Sequence, residues 1–265
     1  MILAARLREA LGLGGMTVEQ TVPFRDKEDM KLVLDGAGIR TPHHRRASTP
    51  AEVSAAAEAI GYPLIIKPIA GAGSADTHRV EDATELEHVL RSVRHVPEVS
   101  VEEFIEGREH TFDTICADGE ILYYNVAWYR PPPLVARTQE WISPQTISLR
   151  EPETDALRPG LEMGRKVLEA LDFRTGFTHM EWFLTPKGEA VFGEIGARAP
   201  GARLVHAMNY SCDIDLFRGW AEAVCYGRLS QDTSKKYNTA RVFKRAEGEG
   251  IVRRYEGQDR SLAEY

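Results

Sequence analysis

Two glutamates, Glu181 and Glu194, stand on either side of the segment Thr185-Pro186-Lys187-Gly188 within residues 176–201. Apolar runs flank that segment, a pattern that predicts an antiparallel hairpin closed by a four-residue turn. Pairing of Leu184 with Glu189 would set Glu181 opposite Phe192 and diagonal to Glu194, with backbones roughly 7–8 Å apart. Alternation then separates two faces: Met180, Trp182, Leu184, Val191 and Ile195 toward a core, and His179, Glu181 and Glu194 toward the other side. Two carboxylates beside Phe183 and Phe192 repel each other and lose hydration unless a cation lies between them. Oxygen donors without thiolates or a multi-histidine set favour magnesium or manganese. A solvent-facing strand with two ordinary glutamates accounts for the same residues without a metal.

A second group of residues suits an anion. Leu64-Ile65-Ile66-Lys67-Pro68 reads as a buried strand ending in a lysine, and Ala70-Gly71-Ala72-Gly73-Ser74-Ala75 follows at once. Small residues let backbone N–H groups curl around an anion, while the strand-end lysine supplies a point charge. The loop is neither a Walker A loop nor a GxGxxG fingerprint, because no Gly-Lys-Ser/Thr follows and the glycine spacing differs. A plain turn fits it as well. Lys27 lies in the first turn of a helix over 24–38 that opens with Asp26 and Glu28 and closes at glycines, placed to reach an anion or simply to face solvent.

The elements that must position these groups follow from local pattern. Residues 3–11 form a short helix stopped by Gly12. Thr49-Pro50-Ala51-Glu52 is a capping box with proline at the first helical position, opening a helix over 51–60 that ends at Gly61. Leu86, Val89, Leu90 and Val93 give residues 82–93 helical periodicity. A strand from Val99 runs through Glu102-Glu103-Phe104-Ile105 into a turn at Gly107, a second covers 109–117, and Asp118-Gly119 folds it back onto 121–128. Residues 128–145 are aromatic and proline-rich, the composition of an ordered functional loop or an edge cover. Trp128, Tyr129, Arg130, Arg137 and Trp141 make that stretch a candidate pocket for a carboxylate with an apolar part. Helices are expected over about 158–171 and, starting at Asp213, over about 213–226; a strand-like stretch at 240–245 would open a further module. The order describes an α+β protein of two lobes joined near residues 105–107.

Composition sets outer bounds. The 265 residues are 43% hydrophobic and 28% charged, as expected for a globular protein with a sizeable core. A formal charge of −7 argues against nucleic-acid or anionic-membrane binding by bulk electrostatics. Three scattered cysteines form no CxxC pair and suit a reducing compartment, which points to the cytoplasm. No apolar run approaches the roughly 20 residues that span a bilayer.

The order Phe24-Arg25-Asp26-Lys27, Ile65-Ile66-Lys67-Pro68 with its Gly-Ala-Gly-Ser loop, Glu102-Glu103-Phe104-Ile105-Glu106-Gly107-Arg108-Glu109, Met180-Glu181 and Glu194-Ile195-Gly196-Ala197-Arg198 resembles the ATP-grasp superfamily over roughly residues 20–240. It looks most like the carboxylate-amine ligases that are also similar to biotin carboxylase and D-alanine ligase-like enzymes. The resemblance implies two α+β lobes with the nucleotide between two antiparallel sheets, the small lobe near 42–105 and the large near 106–230. It would make residues 1–20 the remnant of an N-terminal domain and 241–265 a shortened C-terminal module. Lys27 and Lys67 would contact phosphates, and Gly71, Ala72, Gly73 and Ser74 would fold over them. Glu102 would face the adenine amino group, Glu103 and Ile105 would offer backbone groups to the ring beside Phe104, and Glu109 would accept from the ribose. Glu181 and Glu194 would hold magnesium, and Arg198 would face the carboxylate being activated, with Lys67 as its catalytic companion.

The activity implied is ADP-forming ligation of a small carboxylate, such as an amino acid, to an amine through an acyl phosphate. A biotin-dependent carboxylase and an ATP-binding fragment without turnover are the alternatives, and a homodimer is a candidate assembly. Gly196 departs from the asparagine that many relatives carry there, so a second metal ion would have fewer protein ligands.

Overall fold

The computed structural model describes residues 1–71, 76–139, 141–245, 250–251, 253–254 and 256. Ala72, Gly73 and Ser74 of the expected phosphate loop, and most of the expected C-terminal module, lie outside the described residues.

Local chemistry starts and stops the first elements. Helix α1 (Ile2–Leu11) ends where Gly12 takes a φ of 63°, and the short α2 (Val18–Thr21) opens on a Thr17–Gln20 capping box. Asp26 caps α3 (Lys27–Gly36) by accepting from the N–H groups of Glu28 and Asp29. After β1 (His44–Ala47), the Thr49–Glu52 box and Pro50 open α4 (Pro50–Ile60) as expected. Then come β2 (Leu64–Pro68), the unanticipated β3 (His78–Val80), α5 (Ala83–Ser92) capped by Asp82, and β4 (Val99–Glu103). Strands β1, β4, β2 and β3, in that order, make an antiparallel sheet whose Leu64, Ile66, Val99 and Val101 pack against α4 and α5. Ile65 and Lys67 alternate with those residues and sit in register with Glu102 and Ser100 on the other face.

The second sheet has six strands in the order β10-β7-β6-β5-β8-β9. Strands β5 (Arg108–Ala117) and β6 (Glu120–Arg130) form the hairpin expected at Asp118-Gly119, where φ is 52° and 89°. The stretch 128–145 is less irregular than its composition suggests: β6 runs to Arg130, α6 (Pro133–Thr138) starts on prolines, and β7 opens at Gln145 (Gln145–Ser148). Helix α7 (Arg158–Ala170) precedes β8 (Gly176–Leu184) and β9 (Ala190–Gly196). The helix expected from Asp213 begins later: α8 (Leu204–Cys212) comes first, Asp213 terminates it at a φ of 54°, and Asp215 caps α9 (Leu216–Tyr226). The strand expected to open a separate module pairs through β10 (Thr239–Val242) with β7 and extends this sheet.

One face of the six-stranded sheet is mostly apolar core, with His110 stacked on Trp182 and Thr114 hydrogen-bonded to Thr178 among the apolar side chains. Phe112, Met180, Trp182, Phe192 and Ile195 pack against Leu161, Val167 and Leu168 of α7 and against Met30 and Leu34 of α3. Two glycines let α7 approach this closely: a Cβ on Gly160 would lie 2.1 Å from the Trp182 ring, and one on Gly164 2.5 Å from Phe112. The opposite face changes character along its length. At one end Ile115, Tyr123 and Phe177 pack under Leu204, Met208, Cys212 and Leu216 of α8 and α9; at the other, the same alternation delivers Glu109, Thr111, Asp113, Tyr129, Thr146, His179 and Glu181. Helix α3 joins the lobes, because Met30 and Leu34 enter the large core while Lys27, Glu28 and Lys31 are buried on its other side toward the four-stranded sheet.

Candidate active site

The polar faces of the two sheets enclose a cavity of about 1260 Å³. Its walls include Lys27, Lys67, Gly71, Glu102, Glu103, Phe104, Ile105, Glu109, Glu181, Glu194 and Arg198, so every described residue proposed for the site borders one space. Residues from five strands and one helix converge although long stretches of chain separate them.

The glutamate hairpin forms, but not in the expected register. Leu184 pairs with Ala190, Trp182 with Phe192, and Glu181 directly with Glu194, with an irregularity between Glu181 and Trp182. Gly193 is the extra residue, and a Cβ there would lie 2.8 Å from the Glu181 carbonyl oxygen, so the bulge requires glycine. Across the bulge the alternation switches. Phe192 therefore belongs to the core rather than to the site face, and Val191, expected in the core face, pairs with Phe183 instead. The correction brings the two carboxylates closer than the diagonal arrangement would.

Behind Glu181 stands a buried polar row. Asp113 is fully buried and accepts from Thr111 Oγ1 (2.7 Å) and Asn125 Nδ2 (3.1 Å), while its other oxygen lies 2.5 Å from His179 Nδ1. Burial alone would depress the His179 pKa, but the Asp113 charge and hydrogen bond push it up to about 10, so the ring is an imidazolium at neutral pH. Its Nε2 lies 3.5 Å from Glu181 Oε1, and the Tyr129 hydroxyl donates to the same oxygen at 2.9 Å. Burial would raise the Glu181 pKa; the bond and charge of His179 and the bond from Tyr129 outweigh it and keep the group ionised. Glu109 goes the other way, its pKa raised well above the ordinary value by burial first and by Glu181 next.

The other wall carries cations. Lys27 Nζ lies 3.5 Å from Glu194 Oε2 and donates to the Gly71 carbonyl at 3.4 Å, and burial lowers its pKa. Lys67 Nζ pairs with Glu102 at 2.9 Å. Glu102 also accepts from Lys31 Nζ (2.6 Å) and Ser100 Oγ (2.8 Å). Burial would raise the Glu102 pKa, but the two lysines hold it below the ordinary carboxylate range. The Glu103 carboxylate is engaged by Arg40 Nη2 at 3.0 and 2.9 Å and by the His43 N–H, and its own N–H donates to the His43 carbonyl. Phe104 donates its N–H to Pro63 and carries the Arg79 guanidinium 3.9 Å from its ring centre. Arg198 is exposed and donates to the Ala199 carbonyl.

Trp128 and Trp141 do not line the cavity, whereas Tyr129, Leu134, Val135 and Arg137 from the same stretch do. Asp113, Tyr129 as a partner of Glu181, Lys31 and Arg241 are the contributors that sequence reasoning passed over. Lys31 was the most accessible of these, since it lies one helical turn after Lys27 on the same face. Among the described residues no cluster of three or more His, Cys, Asp or Glu side chains could hold a metal by itself, and no helix is long and apolar enough to cross a membrane.

The chain matches the ATP-grasp domain over residues 24–128. It is 28% identical over 220 residues to the L-arginine-specific L-amino acid ligase of Bacillus subtilis, an alignment covering 80% of this chain and 52% of that protein. The crystal structure of an L-amino acid ligase from Bacillus licheniformis superposes with a TM-score of 0.70 at 23% identity, over 84% of this chain and 53% of that one. A carboxyaminoimidazole ribonucleotide synthase from Aspergillus clavatus complexed with ATP gives a TM-score of 0.74 at 19% identity, over 88% and 60%. The chain thus spans about half the length of the curated relatives it matches.

Proposed function

We infer, from the premise that this chain belongs to the ATP-grasp superfamily, that it is the nucleotide-binding and catalytic part of an ADP-forming carboxylate-amine ligase acting on an amino acid or similar small carboxylate. The single observation that carries the reading is the pairing of Glu181 with Glu194 opposite Lys27 and Lys67 in one cavity. ATP would lie between the sheets, with Lys27 and Lys67 on its phosphates and backbone groups of Glu103 and Ile105, together with Glu102, at the adenine. Because the Glu103 N–H is bonded to His43, its contribution would come from its carbonyl. Glu109 would meet the ribose. Glu181 and Glu194 suit a hard divalent cation, magnesium or manganese, and would hold it with their carboxylate oxygens. When bound, that cation would neutralise charge on the phosphates.

The residues of the chain do the rest. A substrate carboxylate oxygen attacks the γ-phosphorus, and the bond to the bridging oxygen breaks with its electron pair leaving on ADP. Lys27 and Lys67 offset the charge spread over the transferring oxygens. The amine nitrogen then attacks the acyl carbon, the carbon–oxygen bond to phosphate breaks toward phosphate, and the nitrogen loses a proton. Arg198 would steady the oxyanion of that second step. The reading carries with it a cytoplasmic setting, a body spanning about residues 21–240, and small-molecule partners rather than nucleic acid or membrane.

Incubation with ATP, magnesium, a panel of carboxylates and hydroxylamine is expected to yield ADP and a hydroxamate, detectable by mass spectrometry. ATP binding without any hydroxamate would remove the ligase reading, and carboxylation of biotin under the same conditions would put a carboxylase in its place. Nucleotide binding has its own test. Lys67→Ala should weaken ATP affinity at least about tenfold in calorimetry, because a charge-assisted phosphate contact is lost. Lys187→Ala, on the exposed hairpin turn, should leave it unchanged; equal affinities for the two variants would take Lys67 out of the site.

A further inference from the structure

Several lysines and arginines that border the cavity can be sorted by whether a carboxylate pairs with them. Lys27, Lys67 and Arg79 each pair with a carboxylate, Glu194, Glu102 and Glu81 respectively. Arg198, Arg241 and Arg245 also border it, yet among the described residues none of them lies within ion-pair distance of a carboxylate. Arg245 is partly compensated, because it donates to the carbonyls of Ala136 (2.5 Å) and Gln139 (3.3 Å) at the C-terminal end of α6.

Arg241 is the least compensated. Among the described residues its guanidinium donates only to neutral acceptors, the Ala202 carbonyl and Thr146 Oγ1 (2.8 Å), and its buried Nε has no hydrogen-bond partner. It stacks 4.1 Å from the Phe243 ring centre, and burial lowers its pKa. Register places it on the site face: Arg241 pairs with Thr146, and Thr146 with Tyr129, the residue that holds Glu181. The sheet therefore presents paired carboxylates at the β8–β9 edge and an unneutralised, immobilised guanidinium at the β10 edge. A planar fork fixed by two neutral bonds is prepared for a carboxylate, since the cost of ordering it has already been met by the fold.

We propose that Arg241, supported by Thr146, is the anchor for the carboxylate of the amine substrate, so that the acceptor is an amine bearing its own carboxylate, of the amino-acid class. The proposal rests on the ligase reading above. Its direction follows from the placement of the groups: the lysines and Glu194 occupy the phosphate end, so the amine adds to a face of the planar acyl carbon from the part of the cavity they leave free. The rest of the amine substrate then extends toward β10. Arg198 sits just beyond the Glu194 strand, 3.4 Å from a Cβ on Gly196, and serves the acyl group rather than the distant carboxylate.

The test is calorimetric titration of the proteinogenic L-amino acids, and of the same compounds as C-terminal amides, into the whole chain saturated with magnesium and ADP. At least one amino acid should bind at least about tenfold more tightly than its amide, the usual scale for loss of one charge-assisted pair. In Arg241→Gln that preference should vanish while ADP affinity, which reports folding, stays at the parental value; Arg241→Lys should keep part of it. Absence of any preference for the free carboxylate in the parent protein, or its survival in Arg241→Gln, overturns the assignment. The hydroxamate assay needs no amino-acid acceptor, so its outcome judges the ligase reading separately.

Discussion

Glu194→Gln is expected to lower ADP release at least about 100-fold while leaving adenine-nucleotide binding near the parental value. Glutamine keeps the size of the side chain and removes the charge that pairs with Glu181 across β8–β9 and lies 3.5 Å from Lys27. Groups assigned to the adenine, from Glu102 to Ile105, belong to another strand and are untouched. Lys27 would lose its only carboxylate partner among the described residues, and its ammonium, already depressed by burial, would become harder to keep protonated. Both effects act on the phosphate end of the site. Steady-state ADP release should be compared with Glu189→Gln, an exposed position on the same hairpin. If the two variants turn over alike, Glu194 has no part in phosphoryl transfer.

Asp113→Ala should cost stability as well as activity, by about 3–5 kcal/mol, because it strips one partner from a buried charged pair and leaves the other uncompensated. For a chain of this size that corresponds to a fall in Tm of about 10 °C. Three groups lose their acceptor at once: His179 Nδ1, Thr111 Oγ1 and Asn125 Nδ2. Without Asp113, burial would pull the His179 pKa down with the bond and charge of Glu181 left to oppose it. The charged clamp on Glu181 would weaken with it. Asp155→Ala supplies the comparison, because among the described residues that exposed aspartate pairs with Arg158 alone, on the surface, and its loss should change stability by less than about 1 kcal/mol. Urea titrations with coincident midpoints for the two variants would mean that the Asp113–His179 pair does not hold the sheet together.

The two predictions differ in how early they were visible. Glu181, Glu194, Lys27 and Lys67 were named from residue type and local order and Glu109 through the family resemblance, and each borders the cavity. Their strands could be read because alternation, capping boxes and turn residues act within a few residues of chain. Thr49 and Glu52 cap α4, Asp118-Gly119 turns β5 into β6, and Gly61 closes a helix, each through contacts that any isolated segment would favour. The division into two lobes followed from the same signals, since helices and strands alternate in the first half and strands dominate the second.

What tertiary structure alone decided was register and what lies behind the site. The expected pairing of Leu184 with Glu189 differs by one residue from the pairing found, and the bulge at Gly193 adds a second, so that Glu181 faces Glu194 rather than Phe192. No local pattern announces a bulge, because its benefit appears only when Phe192 and Ile195 must both reach a core built by α3 and α7. Asp113 and His179 lie on strands separated by β6, two helices and β7 in the chain, and meet because β5 and β8 pair antiparallel. Arg241 becomes part of the cavity only when β10 docks on β7 as the last strand of the sheet. Residue chemistry and local geometry were thus determined by sequence, whereas the partners that set charge state and reach were determined by non-local strand pairing. Pairing energies depend on both faces of the sheet at once, and the sequence of one strand contains only half of that information.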